Sequence, residues 1–159
     1  MSNLWVRDLM TSNVLVVGPD DPVTKIRDLM ADRHIRHVPV VDEGGDLVGV
    51  VSDRDLLARA LGADTDLPLS LQAELLDADK VRDVMTWDVE TVDADDDVTT
   101  AAMVMLENKY GCLPVLEEGK LAGILTEADF VRFVAGTAED SALQPAALRQ
   151  RARRSRMRH

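Results

Sequence analysis

The 159-residue chain carries one sequence pattern twice, and this duplication restricts the available folds more than any other feature. Val6-Arg7-Asp8-Leu9-Met10-Thr11 returns 75 residues later as Val81-Arg82-Asp83-Val84-Met85-Thr86. The same offset aligns Val14 with Val89, Val17 with Val92, and Asp20-Asp21 with Asp95-Asp96. It also aligns Val23-Thr24 with Val98-Thr99, and Pro39-Val40 with Pro114-Val115. After Glu43-Gly44, matched by Glu118-Gly119, one residue drops out. The offset becomes 74 and pairs Leu47 with Leu121, Gly49 with Gly123, and Asp55 with Asp129. A single slip, placed in a turn, marks two copies of one small unit that share a core.

Each copy has the same coarse order. A short extended run comes first, Val14 to Val17 and Val89 to Val92. A helix follows, capped by Asp21 ahead of an N1 proline, Pro22, in the first copy and by Asp96 in the second. Its apolar face is Val23, Ile26, Leu29 and Met30, then Val98, Ala101, Ala102 and Met105, at helical spacing. Two apolar runs then flank a Gly-containing turn: His37 to Val41 and Leu47 to Val51, then Cys112 to Leu116 and Leu121 to Leu125. These predict a hairpin of buried strands. A second helix starts at Ser52 or Thr126. The order β-α-β-β-α predicts an α+β fold. The expected division is a first repeat over 1–61, a connector over 62–80 with one short helix around Leu71 and Leu75, a second repeat over 81–135, and an Arg-rich tail over 136–159.

Each repeat ends in Gly-x-x-Ser/Thr-x-x-Asp, at Gly49-Ser52-Asp55 and Gly123-Thr126-Asp129. The hydroxyl falls where a helix N-cap belongs and the carboxylate three residues on, which is a capping box. The same strand-to-helix turn offers backbone N–H groups to an anion. One turn can serve as a cap when empty and as a ligand contact when filled.

The tandem β-α-β-β-α order, the Arg-Asp-x-Met-Thr lead-in, the apolar-Pro-Val strand and the Gly-x-x-Ser/Thr-x-x-Asp exit together resemble the CBS domain, here as a pair over about residues 4 to 135. The resemblance implies two pseudo-symmetric repeats packed through their sheets, with clefts that take AMP, ADP or ATP, or S-adenosylmethionine. It implies a homodimer that senses its ligand and regulates a partner protein, with no catalytic residues and no required cofactor. Carried onto this chain, Asp55 and Asp129 would bind ribose, since hydroxyls donate to a carboxylate whereas phosphate is repelled by it. Ser52 and Thr126 would face phosphate. Val14, Val16, Val89 and Thr91 on the first strands, and Val38, Pro39, Cys112, Leu113 and Pro114, would frame the adenine.

The copies differ in charge. The first has Arg36 and His37 before its proline and Arg54 in its exit turn; the second has Gly111, Cys112 and Ala128 there. Phosphate-binding cations are therefore expected mainly from the first repeat. The competing reading pairs Arg36 and Arg54 with surface acids such as Asp32 or Asp53.

Net charge is −11, and six of the 18 basic residues are arginines within 149–159. The rest of the chain carries 12 basic against 29 acidic residues, a balance of −17. Such a body repels nucleic acid and anionic membrane, so only the tail could attract them. That tail reads as solvated, as a dock for an acidic partner or the acidic face of its own dimer, or as a phosphate contact. His34 and His37 lack further ligands at metal-site spacing, and no metal is expected. The Asp93–Asp97 run lacks calcium-loop spacing and reads as a helix start. Cys112, the one cysteine, reads as a small core residue. The N-terminus shows no basic-then-apolar leader and no run approaches a membrane span, so the expected setting is the cytoplasm.

Overall fold

The computed structural model describes residues 3–62 and 78–140. Its elements in chain order are α1 (Val6–Leu9), α2 (Val23–Arg33), β1 (His37–Val41), β2 (Leu47–Ser52), α3 (Asp53–Gly62), α4 (Val81–Val84), β3 (Thr86–Trp87), β4 (Val92–Asp93), α5 (Val98–Asn108), β5 (Cys112–Glu117), β6 (Lys120–Thr126) and α6 (Glu127–Asp140). The result is the expected α+β fold, with two three-stranded sheets ordered β1-β2-β3 and β4-β5-β6. By contacts the chain divides into residues 1–125 and 126–159, with α6 in the second unit. The Leu71/Leu75 helix and the arginines of 149–158 lie outside the described residues. α6 itself continues past Gly136 to Asp140.

Strands β1 and β2 pair antiparallel, with His37 opposite Ser52 and Val40 opposite Gly49, and a bulge before Val41. Between β5 and β6 the turn shortens to Glu118 and Gly119, both at positive φ (52° and 79°). Two consecutive residues of this kind make the turn whose twist matches a hairpin. This is where the repeat offset slips.

The sequence order conceals an exchange. The lead-in of each repeat docks on the other repeat. Strand β3, from the second lead-in, pairs antiparallel with β2, placing Thr86 opposite Val50 and Trp87 opposite Gly49. In the equivalent position Thr11 bridges Ile124: the Thr11 N–H donates to the Ile124 carbonyl at 2.9 Å, and the Ile124 N–H donates to the Thr11 carbonyl at 3.0 Å. The short helices follow suit: Val6 N–H donates to Asp96 O and Val81 N–H to Asp21 O, both at 2.9 Å. In the lead-in, Asp8 and Asp83 accept the N–H groups of Trp5 and Lys80 at 2.9 Å, closing the turn ahead of each short helix. The core of the first repeat consequently contains Val81, Val84 and Met85 alongside Val17, Val23, Ile26, Val38, Val40, Val51 and Leu56.

Two expectations need correction. The first extended runs are barely strands. Only Val17 bridges, to Val40, and only Val92–Asp93 pairs with Val115–Leu116. Among the described residues Val14 to Val16 have no ladder partner, and Leu15 and Val16 face outward. The caps also move by one residue. Pro22 occupies the N-cap of α2 without a side-chain bond, because the Asp21 carboxylate takes the Gly18 N–H at 2.8 Å instead. Asp97, not Asp96, caps α5 through Thr99 N–H at 2.8 Å, while Asp96 accepts from Asp93 N–H.

The motif glycines make the exchange possible. A Cβ on Gly49 would collide with the Thr86 carbonyl oxygen and Met85 Cε, and one on Gly123 would lie 2.6 Å from the Thr11 carbonyl oxygen and 2.9 Å from Met10 Sδ. Backbone cannot yield cheaply there, so Gly49→Ala and Gly123→Ala should each cost about 1–3 kcal/mol in urea unfolding. Gly136→Ala, where a Cβ meets open space, is the control and should show no loss. Wild-type stability in both motif variants would refute the account.

Candidate functional site

The turn from β2 into α3 is a reciprocal capping box. Ser52 N–H donates to Asp55 Oδ2 at 2.8 Å, and Asp55 N–H donates to Ser52 Oγ at 3.1 Å. The cap engages one carboxylate oxygen. The other, Oδ1, receives the Thr86 hydroxyl at a long 3.3 Å, and this is its sole side-chain donor among the described residues. Asp55 is half-buried. It thus presents an acceptor oxygen held in place by the backbone and only weakly occupied.

The residues around this oxygen come from both repeats. His37 is the register partner of Ser52. The Arg36 carbonyl accepts the Asp53 N–H at 2.9 Å, which ties the pre-proline segment to the start of α3. From the second repeat, Gly111 meets the His37 ring: a Cβ there would lie 3.0 Å from Nε2. The charge of Asp55 reaches the neighbouring Cys112 thiol. The structure therefore gathers Arg36, His37, Ser52, Arg54, Asp55 and Cys112, with Thr86 added. Val38, Leu113 and Pro39 are fully buried and Pro114 is buried; Val38 packs in the core of the first repeat. Val14 is half-buried and Val16 exposed on the unladdered stretch before Val17; Val89 and Thr91 are half-buried ahead of β4.

Arg36 and Arg54 are exposed. Among the described residues neither holds a carboxylate, and Asp53 takes the Arg54 backbone N–H at 2.9 Å instead. The expected alternative, pairing with Asp32 or Asp53, does not form. Two exposed arginines on the segments that flank an acceptor carboxylate suit a ligand with both a diol and an anionic group.

The turn from β6 into α6 is engaged differently. Thr126 donates to Asp129 Oδ2 through its N–H at 2.8 Å and through its hydroxyl at 3.3 Å. Arg132 Nη2 donates to Oδ1 at 2.6 Å. Asp129 is 4% exposed. Two residues escaped the sequence reading. Thr86 was visible only as a repeat marker; its role needed the exchanged pairing. Arg132 stands three residues after Asp129 on a helix, a readable spacing.

Among the described residues, no group of three or more His, Cys, Asp or Glu could hold a metal ion, and no helix is long and apolar enough to cross a membrane. Burial, with Asp55 adding to it, pushes the Cys112 thiol up to about 12. The folded thiol keeps its proton above its unfolded value, so this group's stabilisation is lost as pH rises from about 8.5 toward 12. Alkylation of Cys112 by iodoacetamide at pH 8 should run more than about tenfold slower than that of a free thiol. Its rate should still be climbing at about pH 10. A plateau near the ordinary thiol value would overturn this.

Known proteins match both fold and repeats. The CBS domain family profile matches residues 6–62 and 81–136. An uncharacterised protein of Methanocaldococcus jannaschii is 31% identical over 138 residues, covering 85% of this chain, and this chain spans 33% of that longer protein. Hypoxic response protein 1 of Mycobacterium tuberculosis is 31% identical over 126 residues, covering 79% of this chain and 82% of its own. The structure of CBSX2, an Arabidopsis thaliana protein, in complex with AMP superposes with a TM-score of 0.70 at 35% identity, covering 83% of this chain and 97% of CBSX2. The chain therefore belongs to the CBS domain family and carries the paired form of the repeat.

Proposed function

We propose that this CBS pair, a regulatory module, binds an adenine nucleotide at the Ser52–Asp55 turn and passes the signal to a partner protein by a change of shape. The observation that carries the reading is the weakly occupied Asp55 Oδ1 beside two arginines that hold no carboxylate among the described residues. A ribose diol donates to that oxygen, and phosphate falls to Arg36, Arg54 and the N–H groups at the start of α3. The AMP bound by CBSX2, a 35% identical relative, supports the same ligand class. AMP, ADP and ATP are favoured over S-adenosylmethionine, which brings no phosphate to the arginines. A ligand shifts the module's shape only as far as it prefers one state over the other.

Calorimetry tests this. Full-length protein should bind at least one of AMP, ADP and ATP, and Asp55→Asn should weaken binding about 10–100-fold. Asn keeps an oxygen for the Ser52 N–H but cannot offer two acceptors. An absence of heat with all three at millimolar ligand would sink the proposal; unchanged affinity in the variant would remove Asp55 from it.

A second reading has its own observation. Helix α5 exposes Met103 (53%) and Leu106 (79%), three residues apart, and Tyr110 continues the row just beyond it. The equivalent positions of α2 are Asp28 and Ala31. This face fits a homodimer contact, with a second copy as occupant. Sedimentation should find a dimer that Leu106→Glu converts to monomer. A wild-type monomer at tens of micromolar would discard the dimer.

A further inference from the structure

The two exit helices place their arginines differently around the motif aspartate. In α3 Arg54 comes just before Asp55, the position three beyond the aspartate is Ala58, and Arg59, four beyond, is held by Asp79. In α6 the equivalents are reversed: Ala128 precedes Asp129, and Arg132 lies three beyond it. On a helix, residues i and i+3 share a face, whereas neighbours point apart. Arg54 therefore cannot reach back to Asp55, and its carboxylate keeps an oxygen for another donor. Arg132 does reach back. Its Nη2 lies 2.6 Å from Asp129 Oδ1 while Thr126 occupies Oδ2. The Asp129 side chain is 2% exposed, against 66% for the arginine that covers it.

We propose that Arg132 is a built-in clamp that withdraws the second motif aspartate from ligand binding, so that one chain takes one nucleotide although it carries the motif twice. This rests on the nucleotide reading of the first turn. A diol approaching Asp129 would have to displace a charge-assisted bond from a buried carboxylate. A diol approaching Asp55 displaces only the long Thr86 contact. The asymmetry lies in where one arginine sits, not in the motif.

Titrating AMP into the full chain by calorimetry tests the clamp by stoichiometry. Wild type should bind one AMP per chain and Arg132→Ala two; Asp55→Asn in the Arg132→Ala background should return the count to one. Ala58→Arg rebuilds the clamp on exposed α3 and should weaken the first site at least about tenfold. Circular dichroism and thermal melts confirm that each variant is folded. Two AMP per wild-type chain, or one AMP per chain in wild type and Arg132→Ala alike, would overturn the clamp. No binding by wild type with one AMP bound by Arg132→Ala would remove the Ser52–Asp55 assignment yet leave the clamp standing. No binding by either removes both.

Discussion

The structure depends on two places where backbone lies against backbone with no room for a side chain. At Gly49 the chain of the second lead-in passes within the space a Cβ would fill, and at Gly123 the first lead-in does the same. These contacts let each three-residue signature, Val-Arg-Asp, and its following Met-Thr cross to the other repeat. The consequence for the core is direct. Val81 is fully buried, Val84 and Met85 nearly so, and burying such side chains contributes about 1.5–3 kcal/mol each. That burial exists only when the repeats are joined. The same approach carries the Thr86 hydroxyl to Asp55, so one steric allowance both closes the core and furnishes the site.

Charge arranges the rest. The body is strongly acidic, and most basic side chains of the described surface are spent locally. Arg7 is tied to Asp95 and Glu117, Arg59 to Asp79, Arg82 to Asp20 and Lys120 to Asp46. Arg36 and Arg54 stand outside this pattern. On a protein that repels anions generally, two such arginines beside a half-buried carboxylate mark a place where an anionic ligand gains more than it would elsewhere on the surface.

Much of this was legible in the residues, and the limits have physical reasons. Strand and helix periodicity located β1, β2, β5, β6, α2 and α5 closely, because each buries one face in a compact core. The capping box at Ser52–Asp55 was legible because hydroxyl and carboxylate act over four residues; at Thr126–Asp129 the hydroxyl instead donates to the carboxylate. The exchange of lead-ins was not, since periodicity reports which face is buried and not what covers it. Adjacent acids hid the caps: in Asp20-Asp21-Pro22 and Asp95-Asp96-Asp97 any carboxylate satisfies local rules, and the loop bonds to Gly18 and Asp93 decide. Arg36 and Arg54 could be singled out as cations but not as ones that hold no carboxylate among the described residues, which only geometry shows. Arg132 lay in plain view, yet its spacing means little until Asp129 is known to be buried.

The crossing of the lead-ins has a consequence for how the chain is made. As it leaves the ribosome, the first repeat is complete in sequence by Gly62 but lacks part of its own interior until Val81 to Met85 emerge. The first lead-in waits far longer, for Ile124, before Thr11 finds its partner. During synthesis the nascent first half therefore holds an uncovered apolar seat and an unpaired edge at β2, the kind of surface that invites association with neighbouring chains or chaperones. Joining two repeats by trading their beginnings secures the finished pair and lengthens the interval in which neither half is whole.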